Sequence, residues 1–289
     1  MNFEIKEKSN HKLLKNKLLY LLILSLILKY IGYIQNKKST LKIFIMAHKD
    51  FESFRYNPVY SIVVDDKTFL KNKYNLNIIY ADKGKLYKLK RAYSEMSQLY
   101  YIYTLYKNGN MTSDFIGLNH YRRYFNFTDN IPDIDKIFKN HDVILGAPFF
   151  MRHGMRSHFC SRHICQNYNQ IIDIIKDIKP DYYDSALQTN NLKQVYFCNL
   201  FIMKKKDFFD YCEFMFNILF EFDRRNNFTS DDDVLNYTKK FYQIKNVIDY
   251  PRALYQSRIQ AFISERIGNI FYYKKFRKAK LFNFGNYKM

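Results

Sequence analysis

Short apolar runs alternate with segments of helical periodicity along most of the chain. Early in the chain, such runs predict buried strands at residues 41–47, 60–64 and 77–80. The spacing of apolar residues over 91–107 then predicts a helix, which Gly109 closes. Strands that alternate with helices are typical of an α/β protein with a mostly parallel sheet.

The second half of the chain continues this alternation. The predicted strands there are 114–119, 144–145 and 195–203. The predicted helices are 166–178, 206–222 and 254–273. Polar segments at 150–165 and 226–233 separate these elements and are expected to be loops.

The first 40 residues differ in character from the rest. The run from Leu18 to Leu28 is strongly apolar and has lysines on both sides, but it is shorter than the roughly 20 residues that a bilayer-spanning helix requires. This pattern favours a helix that lies in an anionic membrane interface, with packing on the protein's own surface and a true span as alternatives. We therefore expect a membrane-associating segment at 1–40 and a folded domain at 41–289.

The net charge of +20 predicts anionic partners. The sequence has none of the spacings of zinc fingers, RNA-recognition motifs or basic zippers, so we expect no nucleic-acid partner. Phosphorylated substrates and an acidic membrane surface remain. The four cysteines do not form the framework of a disulfide-rich protein, and reduced thiols in a cytoplasmic compartment are expected.

The most informative stretch runs from Asp114 to Phe125. It begins as a buried strand with a close-packing Gly117, and His120, Arg122 and Arg123 follow where the strand ends. Open α/β sheets bind ligands at this edge, and two guanidinium groups suit a diphosphate. A solvated basic turn is the alternative. If the strand continues, the two arginines alternate sides, so that only one faces the crevice. The other would pair with a carboxylate such as Glu95 or Glu265.

This stretch resembles the signature of bacterial polysaccharide glycosyltransferases first catalogued as domain of unknown function 4422. Further patches resemble that family in the same order over residues 41–275; they include 45–49, 93–96, 199–204 and 258–266. The resemblance implies a GT-A-like nucleotide-sugar-binding domain, with a mostly parallel mixed sheet flanked by helices. It implies transfer of a sugar, with a UDP-linked donor favoured, to a lipid-linked glycan of capsule, O-antigen or lipooligosaccharide.

The resemblance and the residue chemistry together give a set of candidate site residues. The predicted catalytic residues are His120, Arg122, Arg123 and Glu265. The predicted donor-binding residues are Ala47, His48, Lys49, Glu95, Asp114, Asn119, Tyr121, Asn199 and Arg258. An arginine placed beforehand near the departing diphosphate would stabilise its growing charge. A general base, needed if the anomeric configuration inverts, would be Glu265, Asp114 or His120. Glu265 has the alternative role of neutralising an arginine.

Many GT-A enzymes hold a divalent metal with Asp-x-Asp, where this chain has Asn119-His120-Tyr121. No cofactor and no metal ligand is therefore predicted, although Asp65-Asp66 and the acidic run 231–233 leave Mg²⁺ or Mn²⁺ as an alternative. The histidines and cysteines of 150–165 match no zinc module. A basic lid over the donor phosphates is the preferred interpretation of that segment, through Arg152, Arg156 and Arg162.

These observations predict a glycosyltransferase at the inner face of the cytoplasmic membrane, peripheral to it. Its expected partners are a nucleotide-sugar donor, a glycan or lipid-linked acceptor and an anionic membrane surface. Two alternatives remain open from the sequence: another nucleotide-using transferase, and a non-catalytic basic scaffold of envelope assembly that binds membranes.

Overall fold

The computed structural model describes residues 19–27, 38–49, 51, 59–65, 77–125, 127, 131–243 and 249–286. The chain divides into two units, residues 1–39 and 40–289. In the first unit, residues 19–27 lie in a helix, α1, whose leucine and isoleucine side chains are exposed. The remainder of the predicted N-terminal helix lies outside the described residues. Within the described part of the chain, none of the helices has the length and apolar character to cross a membrane.

The second unit is built on a mixed sheet. In chain order its strands and a separate short pair are β1 (Leu41–Ala47), β2 (Tyr60–Val64), β3 (Asn77–Tyr80), β4 (Phe115–His120), β5 (Arg123–Phe125), β6 (Val143–Gly146), β7 (Phe149–Phe150), β8 (Gln194–Val195), β9 (Phe201–Lys204), β10 (Ala279–Phe282) and β11 (Phe284–Asn286). The central order is β10-β6-β9-β4-β1-β2-β3. Strands β4, β1, β2 and β3 run parallel to one another, and β10 runs parallel to β6.

The other strand pairings are antiparallel. Strand β9 runs antiparallel to both β4 and β6, and β5 joins β4 and β11 by antiparallel pairing. Strands β7 and β8 pair with each other. The predicted mostly parallel mixed sheet is confirmed, and the first three strands have the predicted bounds.

Helices cover the sheet. They are α2 (Lys90–Tyr93), α3 (Glu95–Lys107), α4 (Ile134–Phe138), α5 (Met155–Cys160), α6 (Cys165–Ile178), α7 (Tyr183–Thr189), α8 (Lys205–Asn226), α9 (Asp231–Phe241), α10 (Tyr250–Gln256) and α11 (Ile259–Lys275). Alternate residues of β1 enter two separate apolar clusters: Phe44 joins the one that contains α3, α8 and α11, and Ile43 joins the one that contains α4. Both faces of the sheet are therefore buried, which explains the continuous apolar runs of its parallel strands.

Gly117 lies in β4 between β1 and β9, and it has the close packing expected from the sequence. A Cβ added to Gly117 would lie 2.9 Å from Ile43 Cγ1 and 3.0 Å from Ile202 Cγ1. The strand that leads to His120 is therefore fixed in place by its two neighbours, because no larger side chain fits without displacing them.

Two of the predicted helices are interrupted. The helix expected over 91–107 is broken at Ser94, whose φ is 49°, so that Glu95 opens a new helix, α3. The helix expected over 254–273 is broken at Ser257 and Arg258, between α10 and α11. Apolar periodicity continues across both breaks, which is why the sequence predicts single helices.

The strand predicted over 195–203 is also interrupted. Strand β8 ends at Val195, and Cys198 and Asn199 adopt left-handed backbone conformations, with φ values of 70° and 49°, before β9 begins. Asparagine tolerates this conformation better than most residues, but for cysteine it costs conformational energy. Consecutive left-handed residues turn the chain sharply, and this turn faces the candidate site described below.

The predicted loop 226–233 ends earlier than expected, because α9 begins at Asp231. Ser230 and Asp233 form a capping box at its start. The carboxylate of Asp231 accepts hydrogen bonds from the backbone N–H groups of Arg91, at 3.0 Å, and Ala92, at 2.9 Å. These acidic residues therefore stabilise the first turns of α9 and α2.

The segment 150–165 is more ordered than a loop, because it contains α5, with Met155 and Phe159 buried. Cys160 and Cys165 form a disulfide across the turn from α5 to α6, with their Cα atoms 4.3 Å apart. The prediction of reduced thiols is therefore wrong for this pair, because the turn brings the two cysteines together. Cys198 and Cys212 are free.

Candidate active site

A cleft of about 800 Å³ opens where β4 ends. Among the described residues that line it, arginines outnumber carboxylates: they are Arg122, Arg123, Arg162, Arg258 and Arg266, against Glu95 and Glu265. Guanidinium groups concentrated in a concave site attract anionic ligands before any contact is made. The cleft is therefore suited to a negatively charged substrate.

The hairpin between β4 and β5 places both predicted arginines in the cleft. Tyr121 and Arg122 form the turn, and His120 pairs with Arg123 across it. Because the chain turns here and does not continue straight, Arg122 and Arg123 both line the cleft. The expectation that only one of them faces the crevice is therefore wrong. Arg122 also lies over the ring of Tyr121, 5.1 Å from its centroid.

Neutral histidines lie at the carboxyl ends of β1 and β4. Burial is the main cause that lowers the pKa of His120 to about 3, and the charge of Arg122 adds to it. Burial is also the main cause that lowers the pKa of His48 to about 4, and the charge of Arg258 adds to it. The backbone N–H of Arg122 donates to His120 Nδ1 at 3.2 Å, so the proton of the neutral ring resides on Nε2. His120 is thus a hydrogen-bond donor at neutral pH.

His48 lies beside His120 and Tyr121, at the end of β1. Its Nε2 is hydrogen-bonded to the hydroxyl of Tyr121 at 3.2 Å, and its ring centroid lies 6.0 Å from that of His120. Lys49 is exposed next to it. Gln98 of α3 donates to the carbonyl of Ala47 at 3.0 Å, which ties the end of β1 to the helix that begins with Glu95.

Glu95 lies in the first turn of α3 and lines the cleft. Burial and the nearby carboxylate of Glu265 raise its pKa, while Arg258 and a hydrogen bond from Asn199 oppose the shift. The side-chain amide of Asn199 donates to Glu95 Oε1 at 3.2 Å. A half-buried carboxylate with a raised pKa that lines a cleft is a candidate for proton exchange with a ligand.

Glu265 has different surroundings from Glu95. Its Oε1 accepts the backbone N–H of Cys198 at 2.9 Å, and its Oε2 accepts Arg266 Nη1 at 2.8 Å. Arg266 is buried and lies against the rings of Phe159 and Phe197. Both oxygens of Glu265 therefore hold structure in place, and the alternative role considered for it, the neutralisation of an arginine, matches this geometry.

The left-handed turn at Cys198 contacts the arginine hairpin. Arg123 Nη1 donates to Cys198 Sγ, and the backbone of Cys198 is held by Glu265. Burial raises the pKa of the Cys198 thiol to about 12, so the thiol is neutral. Cys198 thus positions the Arg123 guanidinium without competing for its charge.

Arg258 closes the cleft on the side of α11. It lies at the break before this helix, and its Nε donates to Ser94 Oγ at 2.9 Å. Because Ser94 precedes α3, the contact joins the amino termini of α3 and α11. Helix amino termini carry partial positive charge, which adds to the attraction for an anion.

The structure does not bring every predicted residue to the cleft. Asp114 lies at the opposite end of β4, where it accepts hydrogen bonds from the backbone and hydroxyl of Thr40, so its assignment to donor binding is corrected. Asn119 is buried and accepts the backbone N–H of Phe125. Asn199 is buried behind Glu95. The last two support the site from below and do not line it.

The carboxylates considered for a metal have other partners. Asp65 accepts hydrogen bonds from Gln98 and Ser97, and burial raises its pKa to about 6. Asp66 lies outside the described residues. Across the described part of the chain, no three histidine, cysteine or acidic side chains are grouped so as to hold a metal ion.

Of the basic residues in 150–165, Arg162 lines the cleft, as do His158 and His163. Arg156 instead donates to Asn169 at 3.0 Å, and Arg152 is exposed. The segment therefore contributes one arginine and two histidines to the wall of the cleft.

Comparison with known proteins supplies the family. The model of the family described as domain of unknown function DUF4422 matches residues 42–243, which is well over half of the chain. This chain belongs to the DUF4422 family. The resemblance inferred from the His-Tyr-Arg-Arg stretch is thereby confirmed. A comparison with curated proteins finds no match.

Among solved structures, the DUF4422 chain is similar in fold to the apo structure of WbbM, described as a bifunctional glycosyltransferase. The TM-score is 0.65 at 19% sequence identity, over 86% of this chain and 46% of the WbbM chain. The chain thus spans less than half the length of that structure. The likeness shows that the two proteins share a fold.

Sequence reasoning missed several cleft residues. Cys198 carries no sequence signal, because nothing in its neighbours indicates a left-handed conformation. Phe197 and Arg266 are missed because they lie in elements predicted as an ordinary strand and helix. Arg266 follows directly after Glu265, and two adjacent opposite charges in a largely apolar helix are the sequence signal that could have indicated it. In the structure the two side chains form an ion pair on a largely buried helix.

Proposed function

We propose that this DUF4422 protein is a glycosyltransferase that uses a nucleotide-sugar donor. The observation that carries the proposal is the convergence of Arg122, Arg123 and Arg258 on one cleft with Glu95, a half-buried carboxylate of raised pKa. The fold shared with a described glycosyltransferase supports it.

The arginines bind the diphosphate of the donor in this proposal. Arg122 and Arg123 come from the β4–β5 hairpin and Arg258 from the start of α11, so the anion is approached from two sides. When the bond from the sugar to the diphosphate breaks, negative charge grows on the leaving group. Guanidinium groups that are already in place stabilise that charge without reorganisation. The Nε2–H of His120 adds a neutral donor.

Glu95 acts as the general base. Its carboxylate takes the proton from the acceptor hydroxyl, the hydroxyl oxygen bonds to the anomeric carbon, and the nucleoside diphosphate departs with the bonding electrons. This displacement inverts the anomeric configuration. Glu95 takes this role in preference to Glu265, because both oxygens of Glu265 are hydrogen-bonded to Cys198 and Arg266. Glu265 is a positioning residue.

The donor is a UDP-linked sugar, and the acceptor is a lipid-linked surface glycan, as in capsule, O-antigen or lipooligosaccharide. The net charge of +20 and the segment 1–40 would hold the protein at the inner face of the cytoplasmic membrane, where such acceptors are assembled. The family resemblance supports this assignment.

A thermal-shift screen of nucleotides and nucleotide sugars tests the proposal. A ligand that binds only the folded protein raises its melting temperature, so UDP and at least one UDP-sugar should raise it, whereas uridine should not. The active donor should then release UDP when an acceptor glycan is supplied. A protein whose melting temperature responds to no nucleotide diphosphate is not a glycosyltransferase of this type.

A further inference from the structure

A second cavity, of about 710 Å³, lies away from the arginine cleft. It is bounded by α7, the end of α11, the edge strand β10 and its neighbour β6. Rings and amides face it together, and they include Tyr196, Tyr273, Phe276, Gln188 and Gln194. Flat rings beside hydrogen-bonding amides match a sugar, which has apolar faces and a rim of hydroxyl groups.

The ring of Tyr273 lines this cavity and is partly exposed. It is 45% exposed, and its hydroxyl donates to Gln188 Oε1 at 3.0 Å, a contact that favours this orientation of the ring. The amide of Gln194 similarly donates to the hydroxyl of Tyr196 at 3.3 Å. An exposed tyrosine has only two side-chain torsions, so it gives contact area at little entropic cost on binding.

The charge of the cavity selects among sugars. Lys274 and Arg277 line it, and no acidic residue is among its described lining residues. Both basic side chains are exposed at the end of α11. A saccharide that carries carboxylate or phosphate groups is therefore bound in preference to a neutral one.

One segment separates the second cavity from the arginine cleft. Tyr196 lines the second cavity, whereas Phe197 and Cys198 line the cleft. The backbone of Tyr196 exchanges two hydrogen bonds with the side chain of Asn269, both at 2.8 Å, and that of Cys198 donates to Glu265 one turn earlier on α11. Two cavities that share one fixed wall suit a substrate longer than a single sugar.

We propose that the second cavity binds an acidic oligosaccharide segment of the acceptor glycan, away from the reacting hydroxyl. The identification of this ligand as the acceptor rests on the proposed glycosyltransferase function. The binding site itself rests on Tyr273, Lys274 and Arg277 and on the absence of opposing charge among the described lining residues.

Calorimetric titration of the full chain tests this site with two defined probes, a tetramer of galacturonic acid and neutral maltotetraose. The acidic tetramer should bind more tightly. Tyr273→Ala should weaken both probes by about tenfold, the effect of one aromatic contact. Arg277→Gln should weaken only the acidic probe. Tyr250→Ala, an exposed tyrosine outside both cavities, is the matched control and should change neither.

Separate titrations with UDP distinguish failure of this site from failure of the proposed function. UDP binding should be unchanged in Tyr273→Ala and Arg277→Gln. The proposed site is overturned if both variants bind the probes as the wild type does. It is also overturned if UDP displaces the probes, or if the wild-type protein binds neither probe at millimolar concentration. If the variants lose probe binding but the wild-type protein does not bind UDP, the second cavity is a saccharide site and the proposed transferase function is refuted.

Discussion

Arg258 donates a hydrogen bond from Nε to Ser94 Oγ at 2.9 Å, and this contact joins two breaks in helices. Ser94 separates α2 from α3, and Arg258 separates α10 from α11. Each break turns a helix amino terminus toward the cleft, and Glu95 opens one of these helices. The departures from regular helix are therefore what builds the site.

Glu95→Gln should abolish sugar transfer while leaving UDP binding intact. The amide keeps the shape of the side chain but cannot accept a proton, so turnover should fall by about 10²- to 10⁴-fold. Asp173→Asn, an exposed carboxylate on α6, is the control and should have wild-type turnover. Steady-state rates of UDP release measure the effect. Equal turnover in Glu95→Gln and wild type would show that another group is the base.

The pH dependence of turnover should follow the same carboxylate. Burial raises the pKa of Glu95 above its usual 4.5, and only the ionised form accepts a proton. Turnover should therefore rise with pH through this raised pKa and level off above it. Residual turnover in Glu95→Gln should lack that limb. A wild-type profile flat from pH 4 to 8 would contradict the assignment.

Asn199 should show how much the left-handed turn contributes to stability. Its φ is 49°, so Asn199→Ala loses both the hydrogen bond to Glu95 and the tolerance for this conformation. Asn199→Gly loses only the hydrogen bond. We expect the alanine variant to be less stable than the glycine variant by about 1 kcal/mol in urea unfolding. Equal stabilities would mean that the backbone conformation costs nothing.

Asp223 should make stability fall as pH rises. It is buried between the hydroxyl of Tyr93 and the amide of Gln260, and burial raises its pKa from 3.8 to about 6. The folded state therefore holds a proton that the unfolded chain has released. This contribution is fully present below pH 3.8 and is lost as pH rises to about 6, a change of about 3 kcal/mol.

The variant Asp223→Asn isolates that contribution. Its free energy of unfolding should lack this decrease, so the difference from wild type should shift in favour of the variant between pH 4 and pH 6. Urea titrations of both proteins across this window measure the shift. A pH-independent difference would show that Asp223 titrates normally in the folded protein.

Gly117→Ala should destabilise the protein by about 1–3 kcal/mol, because the added methyl group would overlap with Ile43 and Ile202. Gly268→Ala in α11 is the matched control, since its added Cβ would have no neighbour closer than 3.5 Å. Thermal unfolding compares the two. A stable Gly117→Ala variant would mean that β1 and β9 yield readily around β4.

The sequence predicts the strands of this protein better than the boundaries of its helices. The first three strands are continuous apolar runs bounded by polar residues, and such runs need no tertiary information. The helix breaks at Ser94 and Arg258 depend on distant partners, including the carboxylate of Asp231 on the backbone of Arg91 and Ala92. Local periodicity does not contain those contacts.

The candidate site follows the same division. The residues at the end of β4, His120, Arg122 and Arg123, are predicted because a strand's carboxyl end is recognisable from sequence. The distinction between Glu95 and Glu265 depends on which oxygens are already hydrogen-bonded, and only the fold shows it. The sequence places Asp114 in the site because it begins the stretch 114–125, but the length of β4 separates Asp114 from His120 and the two arginines.

In the proposed function the arginines of the cleft bind the donor diphosphate, and calorimetric titration of UDP against Arg123→Gln tests this binding most directly. Loss of a charge-assisted hydrogen bond should weaken UDP binding by about 10- to 100-fold. Arg152→Gln, an exposed arginine outside the described cleft lining, should bind as wild type does. Unchanged UDP affinity in Arg123→Gln, or an equal loss in Arg152→Gln, would contradict the account.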